Sequence, residues 1–363
     1  MWAEHIDPGM RSEALRIEDD DLGYAWLMWH DRRLAIADVS IPGDTSPIGR
    51  HHKRRRAAER SDYAYDEALP ADFWEPAARV ARLDEFGMDS AVLFPNFGLL
   101  WERRLSESLP ALTANMGAWN RWAATVAADG DGRLHPVGHL TLRDPDWLLA
   151  QLRDLATANV HLAMIAPSVV DGRPLSHPAH DPIWSAFVDH GVMPCFHVAD
   201  QPRVFEDAWY TDPDDALVPA LESVFLWTPP ALAVTDLIAN GTLARHPGLR
   251  IGIVELSAVW VPMYLLMLDG GLEFVANLNG RPLADLELRP SEYFRRQVRV
   301  SAFSYELPER LHSQSGDLFM CCSDYPHAEG TATPLRDYEK VGTTPAAAPG
   351  LFHDNAAYLI FGQ

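Results

Sequence analysis

The stretch DPIWSAFVDHGVMPCFHVAD (181–200) decides how the fold of this chain is predicted. Apolar residues recur at helical spacing over about 181–190, and MPCFHVAD (193–200) has the continuous apolar character of a short buried strand. The strand reaches His197 near its carboxyl end, which is where ligands bind in α/β folds. The stretch therefore predicts one helix-to-strand unit that carries a candidate functional residue.

The same order of helix and strand recurs along the chain. Further helices are predicted at 75–87, 106–128, 145–158, 231–244 and 260–277, and further strands at 89–98, 134–142, 161–168, 250–258, 298–306 and 317–324. Seven continuous apolar strands separated by helices predict a parallel sheet covered on both faces, and favour a closed (β/α)₈ barrel over an open sheet.

A single domain over 1–363 is expected. Its barrel core and a C-terminal helix occupy 75–363, while 1–74 forms an N-terminal hairpin and loop region. Within that region YAWLMWHDRRLAIADVS (24–40) has two alternating apolar runs, which predicts a β-hairpin placed before the core.

Composition limits the classes of function. The net charge of −21 disfavours nucleic-acid binding, because that affinity comes from lysine and arginine displacing counterions. The basic island RHHKRRR (50–56) is interpreted as a solvated surface loop rather than a binding patch for an anion.

Three cysteines exclude a disulfide scaffold, and their odd number suits a reducing compartment, so a cytoplasmic location is expected. No signal peptide or uninterrupted apolar run of membrane-spanning length is recognised, so no membrane partner is expected.

Polar residues follow the predicted strands at the ends where a barrel places its active site. In a barrel these ends meet at one face, so residues far apart in sequence can share one metal or substrate. They are Asn96, His139, His197, Glu255, Glu306, and Asp324 with His327 in DLFMCCSDYPHAEGT (317–331).

Six segments of the chain, in order and spacing, resemble the amidohydrolase-related family of metal-dependent barrel hydrolases and non-oxidative decarboxylases. They are VLFPNFGLLW (92–101), AWNRWAATVAADGDGRLHPVGHLTLRDP (118–145), PAHDPIWSAFVDHGVMPCFHV (178–198), ARHPGLRIGIVELSAVWVPMYLLMLD (244–269), PSEYFRRQVRVSAF (290–303) and CSDYPHAEGT (322–331). The resemblance implies that His197 and Asp324 face a divalent metal, Zn or Mn. It also implies that Glu255, where many relatives carry a His, contacts metal-bound water or substrate.

The chain departs from the family at its first strand. Family members typically begin with a strand ending in Asp-x-His, followed by Glu-Pro, and the nearest candidate here, IADVSIP (36–42), has an Asp but no His. We expect that this strand is lost or was left out by the choice of start codon, and that the metal binds weakly or is absent. A barrel without one strand exposes two edges, so the N-terminal segment or another subunit is expected to shield the gap. A homo-oligomer is therefore also considered.

The leading hypothesis is an enzyme that hydrolyses or decarboxylates a small carboxylate or cyclic substrate. His197 and Asp324 would hold the metal and Glu255 and His327 would act in catalysis, while Asn96, His139 and Trp260 would line the substrate pocket. Two alternatives stay open at this stage. One is a metal-free barrel that binds a small molecule or a partner subunit, and the other is an enzyme that uses the same carboxylates for acid-base chemistry without a metal.

Overall fold

The structure is a computed structural model that describes residues 1–95, 103–198, 204–211 and 220–363. Its first element group is a three-stranded antiparallel sheet in the order β1-β2-β3, in which Trp26 of β2 lies opposite Ile36 of β3. The strands are β1 (Arg16–Asp19), β2 (Ala25–Trp29) and β3 (Arg32–Ile36). The hairpin predicted over 24–40 is thus present, and β1 adds a strand that the sequence did not indicate.

Seven parallel strands form the second sheet, in the order β10-β9-β8-β7-β6-β5-β4. They are β4 (Ala91–Leu93), β5 (Leu134–His139), β6 (Leu162–Met164), β7 (Met193–His197), β8 (Ile251–Val254), β9 (Val298–Ala302) and β10 (Phe319–Cys321). All seven lie within the strand ranges predicted from the sequence. The strands follow one another in chain order across the sheet, as expected of successive βα units.

Helices connect and cover these strands. They are α1 (Trp2–His5), α2 (Ser46–Arg56), α3 (Tyr65–Ala68), α4 (Pro76–Phe86), α5 (Leu109–Asp129), α6 (Pro145–Thr157), α7 (Asp181–His190), α8 (Ala220–Val224), α9 (Thr228–Ala239), α10 (Thr242–Arg245), α11 (Val261–Asn279), α12 (Pro290–Gln297), α13 (Pro308–Ser315), α14 (Pro334–Lys340) and α15 (Asn355–Phe361). Local sequence fixes several ends. Ser108 and Asp144 cap α5 and α6 by accepting backbone N–H hydrogen bonds. Gly87 directly follows α4, and its φ of 69° suits glycine.

The parallel sheet is curled into an incomplete barrel. Val92 of β4 and Met320 of β10, on the two outermost strands, join one hydrophobic cluster that also contains Met164 and Leu359 of α15. Within the described residues no strand pairs with the outer edge of β4 or of β10. The prediction of a (β/α)₈-type barrel fold is therefore confirmed, with seven parallel strands within the described residues, while the expectation that the first strand is missing or degenerate stays a prediction.

The N-terminal region approaches the barrel beside β10. Tyr325 contacts Asp72 and Phe73, and the backbone at Gly43 lies next to the carbonyl oxygen of Gly330. These contacts brace the loop that follows β10. Whether the N-terminal region shields the strand edges themselves stays a prediction.

The basic island at 50–56 is helical, so its interpretation as a loop was wrong. It forms most of α2, whose His51 and His52 are buried while Lys53 is exposed. The His51 ring stacks on Tyr63 at 4.6 Å, and His52 Nε2 lies 2.8 Å from a carboxylate oxygen of Asp38. One face of α2 is therefore buried through these two imidazoles, and the number of basic residues in the segment does not indicate this.

Candidate active site

Four ionisable side chains meet at the carboxyl ends of β7, β8 and β10. His197 ends β7, Glu255 directly follows β8, and Asp324 and His327 lie in the loop after β10. His197 Nε2 is 2.9 Å from Glu255 Oε2, and His327 Nδ1 is 2.9 Å from Asp324 Oδ1 and 3.6 Å from Glu255 Oε1. The sheet thus brings together both predicted metal ligands and both predicted catalytic residues.

The site is largely removed from water. The exposed fraction of the side chain is 2% for His197, 4% for Asp324, 14% for Glu255 and 23% for His327. Charges in such a place interact more strongly with each other than charges at the surface do. Each carboxylate therefore needs a cationic neighbour, a metal ion or a proton.

Burial and the contacts with oppositely charged neighbours shift the pKa values of the cluster in opposite directions. Burial acts to raise the pKa of Glu255, but hydrogen bonds and charge from His197 and His327 outweigh it and hold that pKa well below its ordinary range. Burial raises the pKa of Asp324 to about 6, opposed by its hydrogen bond with His327. Burial acts to lower the pKa of His327, but its bonds to Asp324 and Glu255 raise it to about 11. With no metal bound, these contacts therefore favour the protonated form of His327 between the two carboxylates.

Both carboxylates of the cluster sit on an unusual backbone. The φ angles of Glu255 and Asp324 are 55° and 51°, in the left-handed region that non-glycine residues seldom adopt. Ser257 also has a positive φ, of 60°. Such conformations persist only where surrounding contacts hold them, and they concentrate at functional sites.

A buried carboxylate, Glu306, holds the loop that carries Glu255. Its Oε1 accepts hydrogen bonds from Ser257 Oγ at 2.6 Å and from the Ala258 N–H at 2.9 Å, and its Oε2 accepts the Phe303 N–H at 2.8 Å. The N–H of Glu255 itself donates to Ser301 Oγ at 2.9 Å. Contacts from β9 and the turn after it thus fix the strained loop after β8.

A second set of contacts holds the loop after β10. The hydroxyl of Tyr325 donates to Asp72 Oδ2 at 2.6 Å, and Arg82 Nε donates to the same oxygen at 3.1 Å. Burial acts to raise the pKa of Asp72, but these two hydrogen bonds outweigh it and lower that pKa. Because Tyr325 directly follows Asp324, this tether positions the acidic end of the site.

The donor atoms suit a divalent cation. Glu255, Asp324, His327 and Glu329 offer ligand atoms that all lie within 4.8 Å of one another. Among the described residues, Asp324 Oδ2 is buried and accepts no hydrogen bond. His197 Nδ1 lies 2.7 Å from the carbonyl oxygen of Val198, so it donates there and directs Nε2 into the cluster, as metal-binding histidines commonly do. Carboxylate and imidazole ligands together fit Mn²⁺ or Zn²⁺.

Two of the three predicted substrate-lining residues are buried, and the third lies outside the described residues. His139 is buried at the end of β5, two strands from β7, with its N–H bonded to Asn120 Oδ1 at 2.7 Å. Trp260 is buried, stacks on Trp227 and donates from Nε1 to the carbonyl oxygen of Ser257. Asn96 lies outside the described residues. Roles in substrate binding stay predictions for all three.

Sequence reasoning missed three neighbours of the cluster. Phe94, just after β4, stacks on the His197 ring at 4.3 Å, Ser301 fixes the Glu255 backbone, and Glu329 joins the possible metal ligands. Glu329 follows His327 by two residues, so the same motif could have indicated it. Nothing local in the sequence indicates the contacts of Phe94 and Ser301, because they join distant segments.

Comparison with known proteins defines the class. The model of the amidohydrolase family matches residues 69–361, and the chain belongs to this family. A search among curated proteins finds no match.

Solved structures share the fold. An amidohydrolase from Mycobacterium avium subsp. paratuberculosis superposes with a TM-score of 0.77 at 21% identity, covering 99% of this chain and 95% of that one. The 5-carboxyvanillate decarboxylase from Sphingomonas paucimobilis gives 0.63 at 18%, covering 90% and 99%. A dihydroxybenzoic acid decarboxylase from Polaromonas sp. JS666, with bound manganese and the inhibitor 2-nitroresorcinol, gives 0.58 at 15%, covering 78% and 85%.

Proposed function

We propose that this protein is a metal-dependent enzyme that decarboxylates a small cyclic or aromatic carboxylate without an oxidant. The observation that carries the proposal is the convergence of His197, Glu255, Asp324 and His327 at one buried point. Family membership supports enzymatic activity, and the structural neighbours named as decarboxylases support this reaction over others. Hydrolysis of a similar substrate is the other reaction that the family offers.

His197 and Asp324 would hold the metal, with Glu255 as a third ligand. His197 presents Nε2 because its Nδ1 is engaged with a carbonyl oxygen, and Asp324 offers a buried oxygen that accepts no hydrogen bond from the described residues. The exposed carboxylate of Glu329 adds negative charge that attracts the cation. When bound, the metal would supply a positive charge that draws in and orients a carboxylate substrate.

The geometry of the cluster suits a step in which a proton is delivered to the substrate. In a decarboxylation the C–C bond breaks, carbon dioxide leaves, and the electron pair left on carbon takes a proton. His327 Nδ1 lies 2.9 Å from Asp324 and 3.6 Å from Glu255 at the centre of the cluster, and in its protonated form it would be placed to donate that proton. Glu255 has a lowered pKa and is therefore a weak base, which suits a hydrolytic water less well.

A metal-free barrel is the second candidate, and one observation favours it. His197 contacts Glu255 directly and His327 contacts Asp324 directly, so each carboxylate has an imidazole partner without a metal ion. In that case the cluster would bind a small molecule, or catalyse acid-base chemistry through His327 and Glu255 alone. The two candidates differ in metal content, and elemental analysis separates them.

The test measures bound metal and carbon dioxide release together. The purified chain is analysed for Mn and Zn, then supplied with Mn²⁺ and screened with hydroxybenzoates and related cyclic carboxylates for released carbon dioxide. Asp324→Asn and His197→Asn are prepared alongside, with His353→Asn, an exposed histidine outside the cluster, as the matched control. We expect about one metal per chain in the parent and the control, and a large loss in both site variants.

The outcomes separate the candidates. Metal together with carbon dioxide release supports the proposal. Metal with hydrolysis of a lactone or amide, and no carbon dioxide release, would leave the metal site standing and replace the reaction. Parent chain that stays metal-free in excess Mn²⁺ would overturn the proposal and favour the metal-free barrel.

A further inference from the structure

The turn that follows β9 lies between the two loops that carry the carboxylates of the site. Strand β9 pairs with β8 on one side and with β10 on the other. Glu255 directly follows β8 and Asp324 lies in the loop after β10, so the turn at Ser304–Glu306 leaves the sheet at the same end and between them. A side chain exposed on this turn is therefore well placed to contact a ligand held by the cluster.

Tyr305 is the exposed side chain of this turn. It is 68% exposed, whereas Glu306 next to it is 7% exposed. Its ring lies almost parallel to the ring of Phe303, with the centroids 5.1 Å apart and the planes at 12° to each other. Phe303 itself is buried. One face of the Tyr305 ring is therefore covered by Phe303, and the other face is open to solvent or to a ligand.

Buried hydrogen bonds fix the position of Tyr305. Glu306 Oε2 accepts the N–H of Phe303 at 2.8 Å, which closes the turn around Tyr305. Glu306 Oε1 accepts hydrogen bonds from Ser257 Oγ and the Ala258 N–H, which joins the turn to the loop after β8. The backbone that carries the ring is thus held in place before a ligand arrives, so little conformational freedom is lost on binding.

The hydroxyl of Tyr305 lies close to the acidic residues of the cluster. Burial around the hydroxyl raises the pKa of Tyr305 to about 12, and the negative charges of Glu306, Asp324 and Glu329 act in the same direction. Charges of exposed groups are largely screened beyond about 10 Å. Tyr305 therefore stands beside the acidic end of the site and keeps its proton at neutral pH.

A flat ring is the ligand group that fits this position. Aromatic rings attract each other in offset-stacked arrangements, beyond the effect of the apolar area that they bury. A small aromatic carboxylate can lie with its ring on the open face of Tyr305 while its carboxylate points towards the cluster. A saturated ring is puckered and has no π-system, so it gains less from the same contact.

We propose that Tyr305 determines the substrate class of the site, by stacking on the ring of an aromatic carboxylate whose carboxylate group faces the cation held by the cluster. This inference rests on the proposed function for the cation site, and it narrows the substrate from cyclic carboxylates to aromatic ones. Tyr305 is a specificity-determining residue in this role, because its ring contacts the substrate without exchanging a proton with it. The preference is a property of binding, so it is measured without any turnover.

The test compares two ligands that differ only in the ring. Benzoate and cyclohexanecarboxylate carry the same carboxylate, and calorimetric titration of the Mn²⁺-supplied protein gives the dissociation constant of each. We expect the parent to bind benzoate about three- to tenfold more tightly. Tyr305→Leu and Tyr305→Met keep an apolar side chain over Phe303 but remove the aromatic ring, so both should lose this preference, whereas Tyr305→Phe should retain it. Phe274→Leu, at an aromatic residue of α11 that is 65% exposed, is the matched control and should also retain it.

Thermal unfolding of each variant separates binding from packing. If Tyr305 only covers Phe303, its replacement lowers the melting temperature and leaves the ring preference unchanged, which would overturn the inference. So would a parent that shows no preference for benzoate, or one that binds neither ligand. The proposed function is judged separately. Carbon dioxide released from a saturated cyclic carboxylate by metal-loaded parent, without a preference for benzoate, would retain that function and reject the role of Tyr305.

Discussion

Removal of the Glu306 carboxylate should destabilise the protein far more than removal of an ordinary surface carboxylate. Glu306 is 7% exposed and accepts three hydrogen bonds, from Ser257, Ala258 and Phe303. Hydrogen bonds to a charged group contribute about 1.5–3 kcal/mol each, and Glu306→Ala would leave two backbone N–H groups without their acceptor. Because the three bonds are coupled, we expect a loss of about 3–5 kcal/mol rather than their full sum.

The assay is equilibrium unfolding in urea, with the free energy of unfolding extrapolated to water. Total stability of folded domains is about 5–15 kcal/mol, so the expected loss is a large part of it. Glu309→Ala, at an exposed position three residues further along, is the control and should change stability by less than about 0.5 kcal/mol. Equal stability of the two variants would refute the reasoning that Glu306 braces the loop. Glu306→Gln, which keeps one acceptor oxygen, should fall between them.

Three further predictions follow from the same contacts. Because the pKa of Asp72 is lowered in the folded state, its ionised form adds stability above its unfolded pKa that is lost in acid; Asp72→Asn should therefore flatten the fall of the unfolding free energy between about pH 5 and about pH 2. Gly330→Ala should cost more than about 1 kcal/mol in thermal unfolding, since its methyl group would overlap the carbonyl oxygen of Asp324, whereas Gly9→Ala, with open space, should be near neutral. Burial raises the pKa of Cys195 to about 12, so this thiol should react with a disulfide reagent only after unfolding.

The sequence predicted the sheet well because each strand carries its own signal. MPCFHVAD contains β7 and RIGIVELSA contains β8, since a strand buried on both faces must be continuously apolar. The polar residue that ends such a run is equally visible, which is why His197 and Glu255 could be named. The segment of α2 is rich in basic residues, and its charge alone led to the prediction of a surface loop although one side of the helix is buried.

The sequence could not predict contacts between distant segments. Glu306 was recognised as a strand-end residue, but its bonds to Ser257 and Ala258 join positions almost fifty residues apart. The contact between Tyr325 and Asp72 spans most of the chain. Local propensity and periodicity carry no information about such pairs, because the barrel alone decides which loops become neighbours. The residues that position the site are therefore found only in three dimensions.

The order of strands explains how an incomplete barrel can still assemble this cluster. His197 ends β7, and Glu255 and Asp324 follow β8 and β10. These three strands lie within one run of four adjacent strands. Each neighbouring pair in that run is joined by parallel backbone pairing, and the two loops that carry carboxylates are held by Glu306 and by the contact of Tyr325 with Asp72. None of these contacts needs a strand between β10 and β4. The geometry of the cluster therefore depends on strands β7 to β10. Its affinity for a cation depends on how many further ligands reach the buried oxygen of Asp324.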